Sequence, residues 1–157
     1  MLQVEELKRK FDQKDNHGFH GNITLGTSSI GFTARLSRNT KHVPEETVIF
    51  DEVLINEGEC YDSSTGKFRA PFRGLYSFSL TVLKANETNV HLMIMKDNIE
   101  IGRSFSGTGA FGSGSVTVLT VMDKDQTVYV KQVPRYTETI HGNHWSTFTG
   151  ILHNRYN

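Results

Sequence analysis

Hydrophobic and polar residues alternate through the middle of the chain. After Gly74, hydrophobic side chains take every second position from Tyr76 to Val82, with Ser or Thr between them. Successive side chains of a β-strand point to opposite faces, so this period of two indicates a strand with one buried face. The run Asp62–Gly66 upstream predicts a turn, because short polar side chains bond their own backbone and glycine tolerates positive φ. We therefore expect a hairpin with large aromatic residues inside.

The same pattern recurs along the rest of the chain. Short runs rich in β-branched or alternating hydrophobic residues are separated by turn sequences such as Lys96-Asp97-Asn98 and Asp123–Gln126. No helical period lies between them, so we predict an all-β antiparallel sandwich. The predicted strands cover residues 32–36, 48–55, 76–82, 90–95, 99–105, 116–122, 127–133 and 147–152.

One predicted strand is hydrophobic on both faces. Val116 and Val118 alternate with Leu119 and Val121, which fall on the opposite side. A sandwich of two sheets leaves the outer face of each sheet in water. Extra hydrophobic surface on an outer face therefore predicts a buried contact between protein molecules, and we expect an oligomer.

Residues 1–14 have the only helical pattern. Val4, Leu7 and Phe11 follow a spacing of three and then four, and Glu5–Arg9 is a favourable pair for a helix. Two readings stay open: a short helix that frays or lies on the domain, or the end of a longer oligomerising stalk. Residues 15–29 are rich in Gly, Asn and Ser and predict a linker.

Composition narrows the classes of function. The 157 residues suit one domain, and Lys plus Arg equal Asp plus Glu at 17 each, so no basic field predicts nucleic-acid binding. No hydrophobic run approaches the roughly 20 residues that cross a bilayer, so we expect no membrane insertion. The N-terminus does not read as a signal peptide. Cys60 is the only cysteine, which excludes an internal disulfide and predicts a buried, inert thiol.

Catalytic and metal motifs are weak. Gly107–Gly112 matches G-x-G-x-x-G, but a strand follows rather than the helix that dinucleotide binding needs. The pairs His17/His20 and His141/His144 could each supply two metal ligands on a helix, yet both lie in segments that predict loops, so surface histidines are the better reading. No activated nucleophile or acid pair is recognisable, so we expect no enzyme and assign no metal ligand.

The segment 135–145, between the last two predicted strands, is the best candidate for ligand binding. Loops on a rigid scaffold carry recognition residues, and sugars are bound by planar polar groups beside an aromatic face. The competing reading places Trp145 in the core or in an interface. The candidate ligand-binding residues are Arg135, Tyr136, His141, Asn143, His144 and Trp145.

Residues at defined separations resemble a known signature, that of the C1q-domain family. Ile30–Ala34 resembles the opening strand of that family, Gly112–Val116 its entry to a late strand, and Ser146–Leu152 its closing strand. Leu80 departs from the signature, which usually has an aromatic residue there. The signature and core residues are Phe50, Asn56, Tyr61, Phe68, Gly74, Tyr76, Phe78, Phe148 and Gly150.

The resemblance implies a ten-stranded jelly roll, shared with the tumour necrosis factor ligands, that assembles as a homotrimer. It implies a C1q domain over residues 30–153, after an N-terminal helix and linker over 1–29 and before a tail over 154–157. Without a Gly-X-Y repeat, the chain resembles a collagen-free head. Some family members hold calcium through aspartates before the glycine–serine segment. Here Ser104–Phe111 contains no carboxylate, so we assign no cofactor to this chain.

Members of this family are typically secreted and recognise ligands without transforming them. The resemblance therefore implies a lectin-like pattern-recognition protein of innate immunity, whose partners are its own copies and glycans or other microbial surface molecules. A trimeric signalling ligand for a cell-surface receptor is the alternative, and a structural adaptor is a third.

Overall fold

A computed structural model describes residues 29–85, 89–107, 109 and 111–157. These residues form strands and turns, and no helix occurs among them. The predicted helix over 1–14, the His17/His20 pair and all of the predicted linker except Ser29 lie outside the described residues. The strands are β1 Gly31–Arg35, β2 Thr40–His42, β3 Thr47–Val48, β4 Glu52–Glu57, β5 Tyr61–Asp62, β6 Lys67–Arg69, β7 Gly74–Lys84, β8 Val90–Lys96, β9 Ile99–Ser106, β10 Ser113–Met122, β11 Thr127–Gln132, β12 Glu138–His141 and β13 Thr147–Arg155.

The strands form two antiparallel sheets, as predicted. In sheet A the order is β2-β12-β7-β13-β1-β4, and β10 pairs with β7. Sheet B has the order β5-β6-β11-β8-β9, and β3 pairs with β11. Thirteen segments are found among the described residues, and the all-β jelly-roll fold class is confirmed. Four of the segments (β2, β3, β5 and β6) are only two or three residues long.

Strand β7 organises sheet A. Its even-numbered residues from Tyr76 to Val82 are fully buried and point at sheet B, as the alternation predicts. Strand β10 pairs with one edge of β7 along its whole length, and β12 and β13 share the other edge. Because β12 and β13 follow one another along the same edge, they act as one long strand that is interrupted in the middle.

The core is a stack of aromatic rings between the sheets. Phe32 stacks on Tyr61 with ring centroids 4.4 Å apart and on Phe68 at 5.5 Å. Phe78 meets Phe68 at 5.4 Å and Phe148 at 6.1 Å. These rings come from β1, β5, β6, β7 and β13, so the aromatic positions of the signature are where the two sheets are held together.

The structure also explains which residue is found at three other positions of the signature. The Asn56 side chain binds both the backbone N and the carbonyl O of Tyr61, at 3.1 and 2.8 Å, and so closes the 57–60 turn. A Cβ on Gly150 would lie 2.6 Å from a carbon of the Phe32 ring, so glycine is required there. Leu80, the departure from the signature, is fully buried and fills the interior as expected.

The predicted strand 48–55 is divided in the structure, because β3 pairs with β11 in sheet B and β4 pairs with β1 in sheet A. Strands β2, β5, β6 and β12 lie outside the predicted strands. The ends of the other strands differ slightly from the predictions. Strand β10 begins at Ser113, earlier than expected, and directly follows Gly112, so a strand follows the G-x-G-x-x-G match as predicted. Strand β13 continues to Arg155, three residues beyond the predicted end, and its last residues pair with Gly74 and Leu75. No helix long and hydrophobic enough to cross a membrane is found among the described residues.

Candidate ligand-binding site

The candidate segment 135–145 is not a single loop, which corrects the prediction. Residues Glu138–His141 form strand β12, which pairs with β2 and with the end of β7. The strand forms because Ile140 is β-branched and fits a fully buried position opposite Lys84. The segment therefore divides into a first turn, residues 133–137, and a second turn, residues 142–146.

The second turn is tight and projects from the interrupted edge of sheet A. The backbone N of Trp145 donates to the carbonyl O of Gly142 at 3.1 Å, and Asn143 and His144 have φ of 49° and 73°. Positive φ at both central residues defines a type I′ turn, which asparagine favours. Gly142 is required because a Cβ there would collide with the backbone of Arg38.

Ser146 closes the interruption between β12 and β13. Its hydroxyl donates to the carbonyl O of His141 at 2.7 Å and accepts from the backbone N of Leu83 at 3.0 Å. The residue is fully buried. Where the second turn leaves the sheet, the backbone hydrogen bonds between strands are interrupted, and the Ser146 side chain replaces them. The second turn is therefore held rigidly where it projects from the sheet.

Charged residues fix the base of the second turn. Nε2 of His144 lies 2.8 Å from the Glu52 carboxylate, which accepts a hydrogen bond from Arg35 at 2.9 Å. The bond from Arg35 lowers the pKa of Glu52 below its ordinary value. Trp145 stands beside this cluster with 64% of its surface exposed, so the reading that places it in the core of the domain is wrong.

The first turn carries Arg135 and Tyr136. Arg135 has φ of 86°, an uncommon value for a residue other than glycine. The Tyr136 ring lies flat on the imidazole of His91, with centroids 4.5 Å apart and planes 14° apart. On β9, next to His91 on β8, the Phe105 ring has its centroid 4.6 Å from that of the imidazole, at 41°.

The buried carboxylate of Glu138 anchors this group of rings through hydrogen bonds to His91. Its carboxylate accepts from Nδ1 of His91 at 2.6 Å, from the backbone N of His91 at 2.6 Å and from Nε2 of Gln132 at 2.7 Å. Glu138 is only 6% exposed and Gln132 is fully buried. A buried carboxylate needs such donors, and here they also fix the orientation of the imidazole.

Sequence reasoning missed His91, Phe105 and Glu138. The alternation of β8 does place His91 on the outer face, and the predicted turn at Lys96-Asp97-Asn98 is the signal that could have placed Phe105 across from it. Nothing local connects either residue with the first turn. The two turns themselves lie at opposite ends of β12, which at the pitch of a strand is about 10 Å long. Among the described residues no hydrogen bond, ion pair or ring contact joins the two turns.

The calcium that the family resemblance raised does not fit these residues. The segment from Ser104 to Phe111 has no carboxylate, and the Ser106 hydroxyl is engaged with the carbonyl O of Gly112. No group of three or more His, Cys, Asp or Glu side chains able to hold a metal ion is found in the part of the chain that the structure describes. A hard cation prefers several oxygen ligands, preferably charged.

Cys60 is half-buried rather than buried. It lines a groove of about 610 Å³ with Lys67, Arg69 and Asp125, and its Sγ donates to the carbonyl O of Gly58 at 3.1 Å. Burial raises the pKa of the thiol above its ordinary value, so the reactive thiolate is disfavoured at neutral pH.

The family profile of the C1q domain matches residues 31–153, which is most of the chain. The chain belongs to the C1q domain family. Its C1q fold is similar to the globular domain of zebrafish complement 1qA protein, with a TM-score of 0.67 and 16% identity over 81% of this chain and 99% of that one.

Two further solved structures share the fold of this C1q domain. Eiger TNF from S. frugiperda matches with a TM-score of 0.67 and 7% identity, over 83% of this chain and 96% of that one. Murine APRIL matches with a TM-score of 0.62 and 12% identity, over 79% and 98% of the two chains. At these identities the likeness concerns the fold alone.

Proposed function

We propose that this C1q domain is a secreted recognition protein, without catalytic activity, that binds microbial surface glycans or other pathogen-associated molecules as a homotrimer. The observation that supports this most is the exposure of Tyr136 and Trp145, 47% and 64%, on two rigid turns of a domain whose other large aromatics are mostly buried. Exposed aromatic rings beside hydrogen-bonding side chains are what sugar recognition requires.

The outer face of sheet A supports the homotrimer. Across its centre, hydroxyl side chains bond to one another between neighbouring strands. Thr33 and Thr149 are 3.0 Å apart, and Ser79 and Thr117 are 2.9 Å apart. These groups satisfy each other, so covering them with another subunit leaves few polar atoms without partners.

Hydrophobic side chains border these paired hydroxyl groups of Thr33, Thr149, Ser79 and Thr117, which we call the hydroxyl ladder. Leu119, Val121, Ile151 and Ile55 are all exposed on the single chain, and Leu119 and Ile151 lie level with Ser77 on their two flanking strands. A shallow groove of about 460 Å³ runs beside Ile55 and Ile151. An outer face of this composition is typical of a buried subunit contact, and it agrees with the two-sided pattern of β10 in the sequence.

Three copies of one site on a rigid trimer suit repetitive surfaces. Each site can be weak, because linked sites raise the overall affinity only where ligands recur at a matching spacing. Microbial glycans form such surfaces. The proposal therefore joins the exposed turns to the oligomer in one mechanism of recognition by avidity.

A trimeric signalling ligand is the second candidate. It is supported by the fold likeness to Eiger TNF and to APRIL. In that case a cell-surface protein receptor, rather than a sugar, would occupy the exposed surface. The two candidates differ in what the native protein binds, so one binding experiment separates them.

The test is a glycan array probed with the full chain, alongside a triple variant with Arg135→Ala, Tyr136→Ala and His141→Ala. We expect sugar-competable binding by the native protein and its loss in the triple variant, while the sedimentation coefficient stays unchanged. Ile99→Ala, which removes an exposed hydrophobic residue elsewhere, serves as the control. An empty array together with saturable, sugar-independent binding to cells would favour the signalling ligand.

A further inference from the structure

Three rings form one exposed surface, which we call the ring platform: Phe105, His91 and Tyr136. The imidazole contacts both aromatic rings, with its centroid 4.6 Å from that of Phe105 and 4.5 Å from that of Tyr136. Phe105 is 54% exposed and Tyr136 is 47% exposed, so each offers ring surface to solvent. Such rings are usually buried unless a partner covers them.

Among the described residues, a hydrogen-bond partner is found for only one nitrogen of the platform imidazole, Nδ1. A carboxylate only accepts hydrogen bonds, so Nδ1 of His91 carries the proton that it donates to Glu138 at 2.6 Å. The second Glu138 oxygen is occupied by the His91 backbone N and by Gln132. Nε2 of His91 is therefore the ring nitrogen left for a ligand, and the buried carboxylate fixes its direction.

The backbone at Gly107 holds the Phe105 ring in place. The ring lies against this backbone, where any Cβ would collide with it. Because Tyr136 is also stacked on a fixed imidazole, neither ring needs reorientation to receive a ligand. A preorganised surface loses little conformational entropy on binding, as a recognition site requires.

The charges near the ring platform are largely paired. Arg103, next to Phe105 on β9, binds Glu100 at 2.7 Å, and Lys131 on β11 lies 3.3 Å from Glu45. Arg135 precedes Tyr136, but no hydrogen bond or ion pair ties it to the platform among the described residues. With the Glu138 carboxylate directly behind the imidazole, the centre of the platform does not favour an anion.

Resting on the proposed function, we propose that the ring platform is the subsite for a neutral pyranose sugar. The C–H face of the sugar ring packs on Tyr136 and Phe105, because aromatic faces carry partial negative charge and attract polarised C–H groups. One sugar hydroxyl, which can donate or accept, forms a hydrogen bond with Nε2 of His91. This assigns stacking to two residues, Phe105 and Tyr136, and hydrogen bonding to a third, His91.

The test uses the full chain and saturation-transfer NMR with the methyl pyranosides of glucose, galactose and mannose, and with a methyl glucuronide as the acidic comparison. Irradiating aromatic protons is expected to transfer signal to the ring C–H protons of at least one neutral sugar. Tyr136→Ala and Phe105→Ala are each expected to weaken binding about tenfold or more. Ile99→Ala, which removes an exposed hydrophobic side chain outside both turns, is expected to leave binding unchanged, and Trp145→Ala tests the second turn separately.

Melting temperature and near-ultraviolet dichroism confirm that each variant is folded. Tyr136→Leu keeps a hydrophobic cover over His91 without an aromatic face, so it also loses sugar binding if the platform acts through stacking. Loss with Trp145→Ala and retention with both platform variants would overturn the platform and leave the recognition function intact. Preference for the glucuronide would overturn the neutral class. Sugar binding by none of the proteins, with cell binding retained, would overturn both proposals.

Discussion

Gly150 lies where two phenylalanine rings meet. A Cβ at this position would be 2.6 Å from the ring of Phe32 and 2.7 Å from that of Phe78. Neither ring can move, because both are fixed in the aromatic stack between the sheets. The signature glycine is therefore a packing requirement and concerns stability rather than binding.

We predict that Gly150→Ala lowers the free energy of unfolding by about 2–3 kcal/mol, the cost of forcing a methyl group into a packed core. Urea denaturation followed by far-ultraviolet circular dichroism measures it. Gly109→Ala is the matched control, because nothing lies within 4 Å of its Cβ and only its φ of 73° opposes a side chain. That control should cost about 1 kcal/mol. Equal costs at the two positions would contradict the packing explanation.

Asp97 joins two hairpins. It occupies the turn between β8 and β9, with φ of 50°, which aspartate tolerates better than most residues. Its carboxylate accepts from the backbone N of Thr127 at 2.9 Å and from Nε2 of Gln126 at 3.0 Å. The bond from the Thr127 backbone is the main cause that lowers the pKa of Asp97 below its ordinary value of 3.8. The β8–β9 turn thus supports the start of β11.

We predict that this carboxylate makes the fold acid-sensitive. The folded protein binds the Asp97 proton less readily than the unfolded chain does. Its stabilisation is therefore complete above the unfolded pKa and is lost as the pH falls through the lower folded pKa. Melting temperatures measured between about pH 6 and pH 2 should decline less steeply for Asp97→Asn than for the native protein.

Asp125→Asn is the control for that measurement. It lies in the neighbouring turn, is exposed, and its carboxylate accepts no hydrogen bond from the described residues. Its decline with pH should match that of the native protein. A parallel decline for Asp97→Asn would show that the bonds to Thr127 and Gln126 do not contribute to acid sensitivity.

Sheet A gives the molecule two unlike surfaces. Its inner face carries the aromatic core, and its outer face carries the hydroxyl ladder with exposed hydrophobic residues at its border. Leu119 stands on this outer face at the edge strand β10, 64% exposed in the single chain. If three chains assemble through this face, Leu119 becomes buried and its substitution acts on assembly rather than on folding.

We predict that Leu119→Asp converts the proposed trimer to monomers, because a buried carboxylate without a partner costs about 3 kcal/mol or more, which raises the dissociation constant about 100-fold or more. Sedimentation velocity at micromolar concentration measures the change. Val43→Asp, at a site 54% exposed and outside sheet A, should remain trimeric. A native protein that sediments as a monomer would overturn the trimer itself, and with it recognition by avidity.

Local patterns were enough to predict the longer strands and much of the core. The period of two from Tyr76 to Val82 places those side chains on the buried face of β7, and the signature residues predict the aromatic stack. Such patterns work because the direction of a strand side chain depends only on its position in the strand. The extra hydrophobic face of β10 was equally visible, since Leu119 and Val121 break the expected polar alternation.

The candidate site was only partly predictable. Tyr136 and Trp145 are indeed exposed, but the loop assumed to hold them together contains β12, whose buried Ile140 pairs with a strand more than 50 residues away. Propensity could not show this pairing, because β-structure is decided by partners that are distant in sequence.

The order of residues along the chain predicts a sandwich with an aromatic core and resembles the C1q signature. The pairing of strands in space brings His91, Phe105 and Tyr136 together over a buried Glu138 and leaves Trp145 on a separate turn. The difference arises because the burial pattern of a strand depends on residues that are close in sequence. A binding surface depends instead on which strands and turns the register brings side by side.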